Sequence, residues 1–190
     1  MQVRRSLHVA CPRSRRVRLL PEAVLLHDGR GHLRAERGYG GRRRPPPDPI
    51  NAVLSFGYSM LVHECTAACR VASLEPTLGA LHATRPGRPA LALDLMEPFQ
   101  PLIADSVAVS AFNRGELTEG HFLDTAAGCA LTDSGRKGFC SAYGRRMDTE
   151  VRHPAFDYRL SYRRMIMLHA RLVAAWLLGE IPALAFLTTR

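Results

Sequence analysis

Long apolar runs are missing from this chain of 190 residues. None approaches the roughly 18 residues that a membrane-spanning helix needs, so the sequence points to a soluble protein with no membrane association. Residues 1–16 are basic but hold no apolar stretch beyond Leu7-His8-Val9-Ala10, so they do not read as a secretory signal. Cysteine is sparse. The five present (Cys11, Cys65, Cys69, Cys129 and Cys140) leave at least one unpaired and form no C-x-x-C pair, which fits a reducing, cytoplasmic setting. Lysine is almost absent, with Lys137 alone among 26 basic residues. That skew toward arginine reflects a GC-rich gene and is by itself no argument for DNA binding.

What is present is enough for a packed domain. The apolar fraction of 46% and charged fraction of 23% exclude a wholly disordered chain, and the length suits one domain or two small ones. The net charge of +9 is unevenly placed. Residues 1–50 hold 12 arginines against four acids (Glu22, Asp28, Glu36, Asp48), net +8, and the remaining residues are close to neutral. Such asymmetry marks either a nucleic-acid arm or a segment outside the folded body.

Three regions follow. Residues 1–41 show no sustained period and read as an irregular or disordered basic segment. Its one apolar stretch, Val17 to Leu26, suggests a short strand pair turning at Asp28-Gly29. Residues 42–49, Arg-Arg-Arg-Pro-Pro-Pro-Asp-Pro, form a stiff extended linker. Residues 50–190 read as helical throughout. Asp48 caps the first helix and Pro49 opens it, because proline lacks a donor that would be orphaned there. Val53, Leu54, Tyr58, Leu61, Val62, Cys65 and Cys69 then recur at spacings of three and four, as far as Val71. A second helical stretch, Leu91 to Phe112, contains Pro98 and Pro101, which must break or bend it. A third runs from Thr132 or Asp133 to Met147, and a fourth from about Asp157 to a stop at Gly179. The expected fold class is an all-α helical bundle.

The sharpest chemical set is His82, Asp94 and Glu97. Asp94 and Glu97 stand three apart, so on a helix both carboxylates share a face. The turn Arg85-Pro86-Gly87-Arg88-Pro89 can fold His82 back over them. One imidazole with one or two carboxylates suits Mg²⁺ or Mn²⁺, while a surface acid pair beside a capping histidine stays open on spacing alone. His63, Cys65 and Cys69 can be drawn as a metal cluster, but cysteines four apart on an apolar stripe are core residues. His63-Glu64 has no second histidine at the zincin spacing. The doublets Arg145-Arg146 and Arg163-Arg164, near Tyr158 and Tyr162, can grip phosphates or form a solvated helix face.

Several blocks in order carry a resemblance. They are Arg42 to Tyr58 (RRRPPPDPINAVLSFGY), Leu74 to His82 (LEPTLGALH), Gly87 to Phe99 (GRPALALDLMEPF) and Asn113 to Leu117 (NRGEL). Leu131 to Lys137 (LTDSGRK), Tyr158 to Arg164 (YRLSYRR) and Gly179 to Pro182 (GEIP) follow them. Together they span residues 42–190 and resemble the helical C-terminal domain of the CRISPR adaptation integrase, the spacer-acquisition nuclease.

That resemblance implies a metal-dependent DNA endonuclease and integrase that inserts foreign double-stranded fragments at the CRISPR repeat. It implies Mg²⁺ or Mn²⁺ held by His82 and Glu97, with Asp94 beside them in the catalytic set. It implies phosphate contacts from Arg145, Arg146, Arg163 and Arg164, a small CRISPR adaptation partner protein, and a homodimer built by an N-terminal β domain. In the family a third ligand, a glutamate in an E-G motif, lies upstream. This chain has no such motif; Glu22 is the nearest acid, and 41 residues leave no room for the β domain. The expectation is therefore a truncated or frameshifted product in which two protein ligands make the chemistry poor. A non-catalytic helical DNA-binding remnant or accessory subunit is the alternative.

Overall fold

The computed structural model describes residues 46, 48–79, 81–83, 85–126, 128–153, 156 and 158–182, together with the backbone of four short strands before them. Those strands are β1 (His8–Val9), β2 (Val17–Arg18), β3 (Ala23–His27) and β4 (Leu33–Arg37). β1 pairs with β2 and β3 with β4, both antiparallel, so a strand pair does flank the Asp28-Gly29 position.

The first helix, α1 (Pro49–Val71), begins where the local chemistry says it must. The Asp48 carboxylate accepts from the Asn51 backbone N–H at 2.9 Å and from the Asn51 side-chain amide at 2.6 Å, satisfying a donor that the first turn leaves open. Its stripe Val53, Leu54, Leu61, Cys65 and Cys69 is buried, and Tyr58 and Val62 are half-buried beside it. The linker residues 42–45 and 47 lie outside the described residues. The Pro46 carbonyl accepts from Cys129 N at 2.8 Å, which ties the approach to α1 onto the body.

The proline-bearing stretch is helical and bent, as its sequence requires. It runs as α2 (Ala90–Met96), a 3₁₀ turn (Glu97–Phe99), a π turn (Pro101–Asp105) and α3 (Ser106–Asn113). Pro98 and Pro101 cannot donate, so the ladder changes pitch around them. Gln100 N reaches Met96 O at 3.1 Å, and Asp105 N reaches back five residues to Gln100 O, also at 3.1 Å.

Two ribbons fill the stretches between the expected helices, the second running into the start of the last one. β5 (Phe122–Thr125) pairs with β6 (Gly128–Leu131), and β7 (Glu150–Arg152) with β8 (Arg159–Ser161). Between them α4 (Asp133–Met147) starts at the expected place, with Thr132 Oγ1 accepting from Gly135 N at 3.1 Å. The last helix, α5 (Tyr162–Leu177), starts later than the expected Asp157, because residues 159–161 are spent on β8. It stops as expected. Gly179 adopts φ +75°, a left-handed conformation open to glycine, and Glu180 N donates to Ala175 O at 2.9 Å.

The core lies between α1 and the surrounding helices. Phe99, Ile103, Phe139, Tyr143, Met165 and Ile166 close over the α1 stripe, all of them buried. Each such side chain contributes about 1.5–3 kcal/mol through burial, which holds the bend after α2 in place. The all-α class therefore stands, with small strand pairs added at its margins. Among the described residues no helix is long and apolar enough to cross a membrane.

Candidate active site

The site is assembled where the loop after α1 folds back over α2. Leu91 N donates to Pro76 O at 2.9 Å, anchoring the loop to the helix's first turn. At Gly79 the two backbones are in contact. A Cβ there would stand 2.6 Å from the Ala90 Cβ and 2.6 Å from the His82 carbonyl oxygen, so only glycine fits without displacing one of them.

Asp94 closes the loop. Its Oδ2 accepts from Leu81 N at 3.0 Å, and its Oδ1 accepts from His82 N at 2.9 Å. The same Oδ1 lies 2.6 Å from His82 Nδ1. A carboxylate cannot donate, so Nδ1 carries a proton toward Asp94, and in the neutral ring Nε2 presents its lone pair. Nε2 lies 3.8 Å from Glu97 Oε1. The two acids therefore diverge in role rather than working as a pair. Asp94 is nearly buried and faces the loop, whereas Glu97, on the 3₁₀ turn made by Pro98, is half exposed and faces the imidazole.

A separation of 3.8 Å is too long for a hydrogen bond. It falls between the separations of adjacent and opposite ligands on one small cation, so one of the two side chains would have to shift for both to hold the same ion. Ligand distances of about 2.1 Å put adjacent octahedral ligands about 3 Å apart and opposite ones about 4.2 Å apart. The donor set fits: an imidazole nitrogen whose other nitrogen is held by a carboxylate is a common metal-binding arrangement. Among the described residues no group of three His, Cys, Asp or Glu side chains comes together. Glu22, the nearest upstream acid, lies outside the described residues.

The four arginines separate. Arg146 is half-buried and turned inward: its Nε donates to Leu102 O at 2.8 Å, and one terminal nitrogen donates to the Tyr162 hydroxyl at 3.3 Å. Its guanidinium also sits 4.8 Å from the centre of the Tyr162 ring. Arg145 pairs with Glu116 and donates to Ser141 Oγ at 3.0 Å. Arg163 donates to Glu64 Oε1 at 2.7 Å and lies 3.7 Å from Asp148, pairs that hold its guanidinium above the usual arginine range despite partial desolvation. Arg164 is exposed, and its guanidinium makes no hydrogen bond or ion pair among the described residues.

The cysteines of α1 are core residues. Burial pushes both thiols up, Cys69 to about 11. His63 Nδ1 lies 2.6 Å from the Ser59 carbonyl oxygen, within its own helix. Sequence reasoning missed the packing role of Gly79, although the Gly79-Ala80-Leu81-His82 block displays it beside the histidine. It also missed the bond from the Tyr58 hydroxyl to Asp105 at 2.6 Å on the π turn. Burial raises the Asp105 carboxyl, and the phenol's hydrogen bond partly opposes that.

A bent-helix bundle presenting a histidine–carboxylate couple defines the class of domain, and comparison with known proteins gives the family. The family model for CRISPR associated protein Cas1 matches residues 32–145, beginning ten residues ahead of Arg42. The chain belongs to the Cas1 family. It is 54% identical over 148 residues to a CRISPR-associated exonuclease Cas4/endonuclease Cas1 fusion of Geobacter sulfurreducens, covering 78% of this chain and 26% of that protein. It is 42% identical over 151 residues to an endonuclease Cas1 of Thermus thermophilus, covering 79% and 46% respectively. Among solved structures, a casposase bound to its integration product aligns with TM-score 0.69 and 27% identity, over 75% of this chain and 42% of that one. A Cas1 protein from Thermotoga maritima aligns with TM-score 0.66 and 30% identity, over 73% and 43%. The chain thus spans less than half the length of each of these relatives.

Proposed function

We propose that this chain carries the helical part of a metal-dependent DNA endonuclease and integrase of CRISPR spacer acquisition, with His82 and Glu97 as its protein ligands for Mg²⁺ or Mn²⁺. The observation that carries the reading is the 3.8 Å approach of His82 Nε2 to Glu97 Oε1, with Asp94 fixing the other face of the imidazole. When bound, such a cation supplies Lewis-acid stabilisation of charge on a phosphodiester. Asp94 holds the Nδ1 proton and keeps Nε2 available. The bend at Pro98 presents Glu97 to solvent, where a phosphate backbone can reach it. Arg164, exposed and without an internal partner among the described residues, is the best placed of the four arginines to touch phosphate. The casposase relative, solved on an integration product, and the relatives named endonucleases support the same chemistry. Double-stranded DNA and a small adaptation protein are the partners this reading implies.

The test is Mn²⁺-dependent nicking of branched DNA by the chain, alongside calorimetric Mn²⁺ titration. Glu97→Ala and His82→Ala should abolish both signals. Nicking that survives either substitution, or that persists in chelator, defeats the proposal. A second reading is a helical module that binds DNA without cutting it. It is favoured by the lack of a third ligand among the described residues. In that case affinity falls steeply with salt while added Mn²⁺ changes nothing.

A further inference from the structure

We propose that the β7–β8 ribbon is a stacking platform for an unpaired nucleotide, with Tyr158 as the surface on which its base lies; this rests on the DNA reading above. An open cleft of about 620 Å³ sits at the ribbon, lined by Glu150, Val151, Arg152, Tyr158 and Arg159. That volume lies within the roughly 300–1,000 Å³ of ordinary ligand clefts.

Tyr158 is 43% exposed, yet its ring is firmly backed. Phe156 stacks near it at 5.7 Å and 14°, and His153 lies at 6.4 Å and 25°. Tyr158 N donates to Phe156 O at 2.8 Å, and its carbonyl accepts from His153 N at 3.1 Å. An exposed aromatic ring held in this way has already lost most of its freedom, so a base that stacks on it pays little ordering entropy. Arg152 and Arg159 face each other across the two strands and bring positive charge to the same cleft. Glu150 approaches Arg159 at only 4.0 Å with both side chains exposed, a loose surface pair for that one guanidinium.

A chain of ring contacts through the core joins the platform to the turn that carries Glu97. His153 is 5.6 Å from His169, and His169 is 5.1 Å from Phe99, two residues beyond Glu97. Those ring-to-ring steps, with the first of 6.4 Å, place Tyr158 within about 17 Å of Phe99. Every base has a flat face, so the platform would accept any of the four.

The experiment measures anisotropy of two labelled DNAs with the full chain in EDTA: a blunt duplex, and the same duplex with a single-stranded extension. Tyr158→Ala should weaken binding of the extended DNA about 5- to 100-fold and leave the blunt duplex unchanged within twofold. Tyr158→Trp should restore binding, and both variants should keep the parent's circular dichroism at the assay temperature. Unchanged affinity for the extended DNA, an equal loss on both DNAs, or failure of Trp to rescue would overturn the platform. Chelation makes the result independent of the metal. If the unaltered chain binds neither DNA, the DNA reading itself fails along with the platform.

Discussion

The His82 imidazole and the Asp94 carboxylate are joined at 2.6 Å, and the same carboxylate oxygen also accepts from the His82 backbone N–H at 2.9 Å. One side chain therefore sets both the position of the loop and the tautomer of the ring. Asp94→Asn keeps the size but loses acceptor capacity, since its amide nitrogen can only donate. Supporting groups of this kind are worth about 10- to 100-fold in metal affinity. Mn²⁺ titration of the variant should show a loss in that range, with secondary structure unchanged. An affinity equal to the parent's would remove Asp94 from the site.

Gly79 makes a second positioning claim that can be separated from general stability. Its Cβ position is 2.6 Å from the Ala90 Cβ and from the His82 carbonyl, so Gly79→Ala must push the loop off α2. Overpacking of this kind costs about 1–3 kcal/mol. Gly144, within α4, has nothing within 4 Å of its Cβ position. Gly144→Ala should stabilise the chain by up to about 1 kcal/mol through helix propensity alone. Urea unfolding of the two variants should move in opposite directions, and Mn²⁺ affinity should fall only for Gly79→Ala. Shifts of the same sign would count against the contact at Gly79.

Where structure comes from neighbours in sequence, the chain can be read directly. The cap at Asp48, the α1 stripe to Cys69, the start of α4 at Thr132 and the stop of α5 at Gly179 each depend on residues within one or two turns. The bend at Pro98 and Pro101 is legible for the same reason, because proline acts on its own turn. The ribbons are not legible. Strands of three or four residues are too short to show a period, and the pairing of Glu150 with Ser161 depends on contacts across the fold. The candidate site divides along the same line. His82, Asp94 and Glu97 could be named from residue type and order, but the split between Asp94 and Glu97 could not. It arises because a loop 12 residues upstream returns to occupy Asp94.

Acid sensitivity offers a third test. His169 is buried against Phe99 and His153, and burial, with a smaller contribution from His153, lowers its imidazole to about 4. His153 is lowered by burial too. An unfolded histidine titrates near 6.5. Between those values the unfolded chain takes a proton that the folded chain refuses. Stability is thus full above about pH 6.5 and falls as pH drops toward 4, by about 3 kcal/mol at most. Urea unfolding across that range should show this slope, and His169→Gln should flatten it. Identical slopes in the two proteins would show that His169 does not drive the acid loss.

The arginine doublets give the final prediction, because neighbours on a helix point about 100° apart and cannot share one role. Arg146 ties α4 to the π turn through Leu102 O and to α5 through Tyr162. Removing it leaves a carbonyl without its donor and a ring without its cation, a loss of about 1–3 kcal/mol. Lysine cannot reproduce that planar fork, so Arg146→Lys should recover little. Arg164 makes no internal hydrogen bond or ion pair through its guanidinium among the described residues, so Arg164→Ala should leave the unfolding midpoint unchanged. If Arg164 contacts phosphate, its loss should weaken DNA binding alike for all sequences and reduce the salt dependence by about one counterion. Unfolding curves and salt-titrated DNA binding on the two variants separate the roles. An Arg146→Ala protein as stable as the parent, or an Arg164→Ala protein with an unaltered salt slope, would reverse the assignment for that residue.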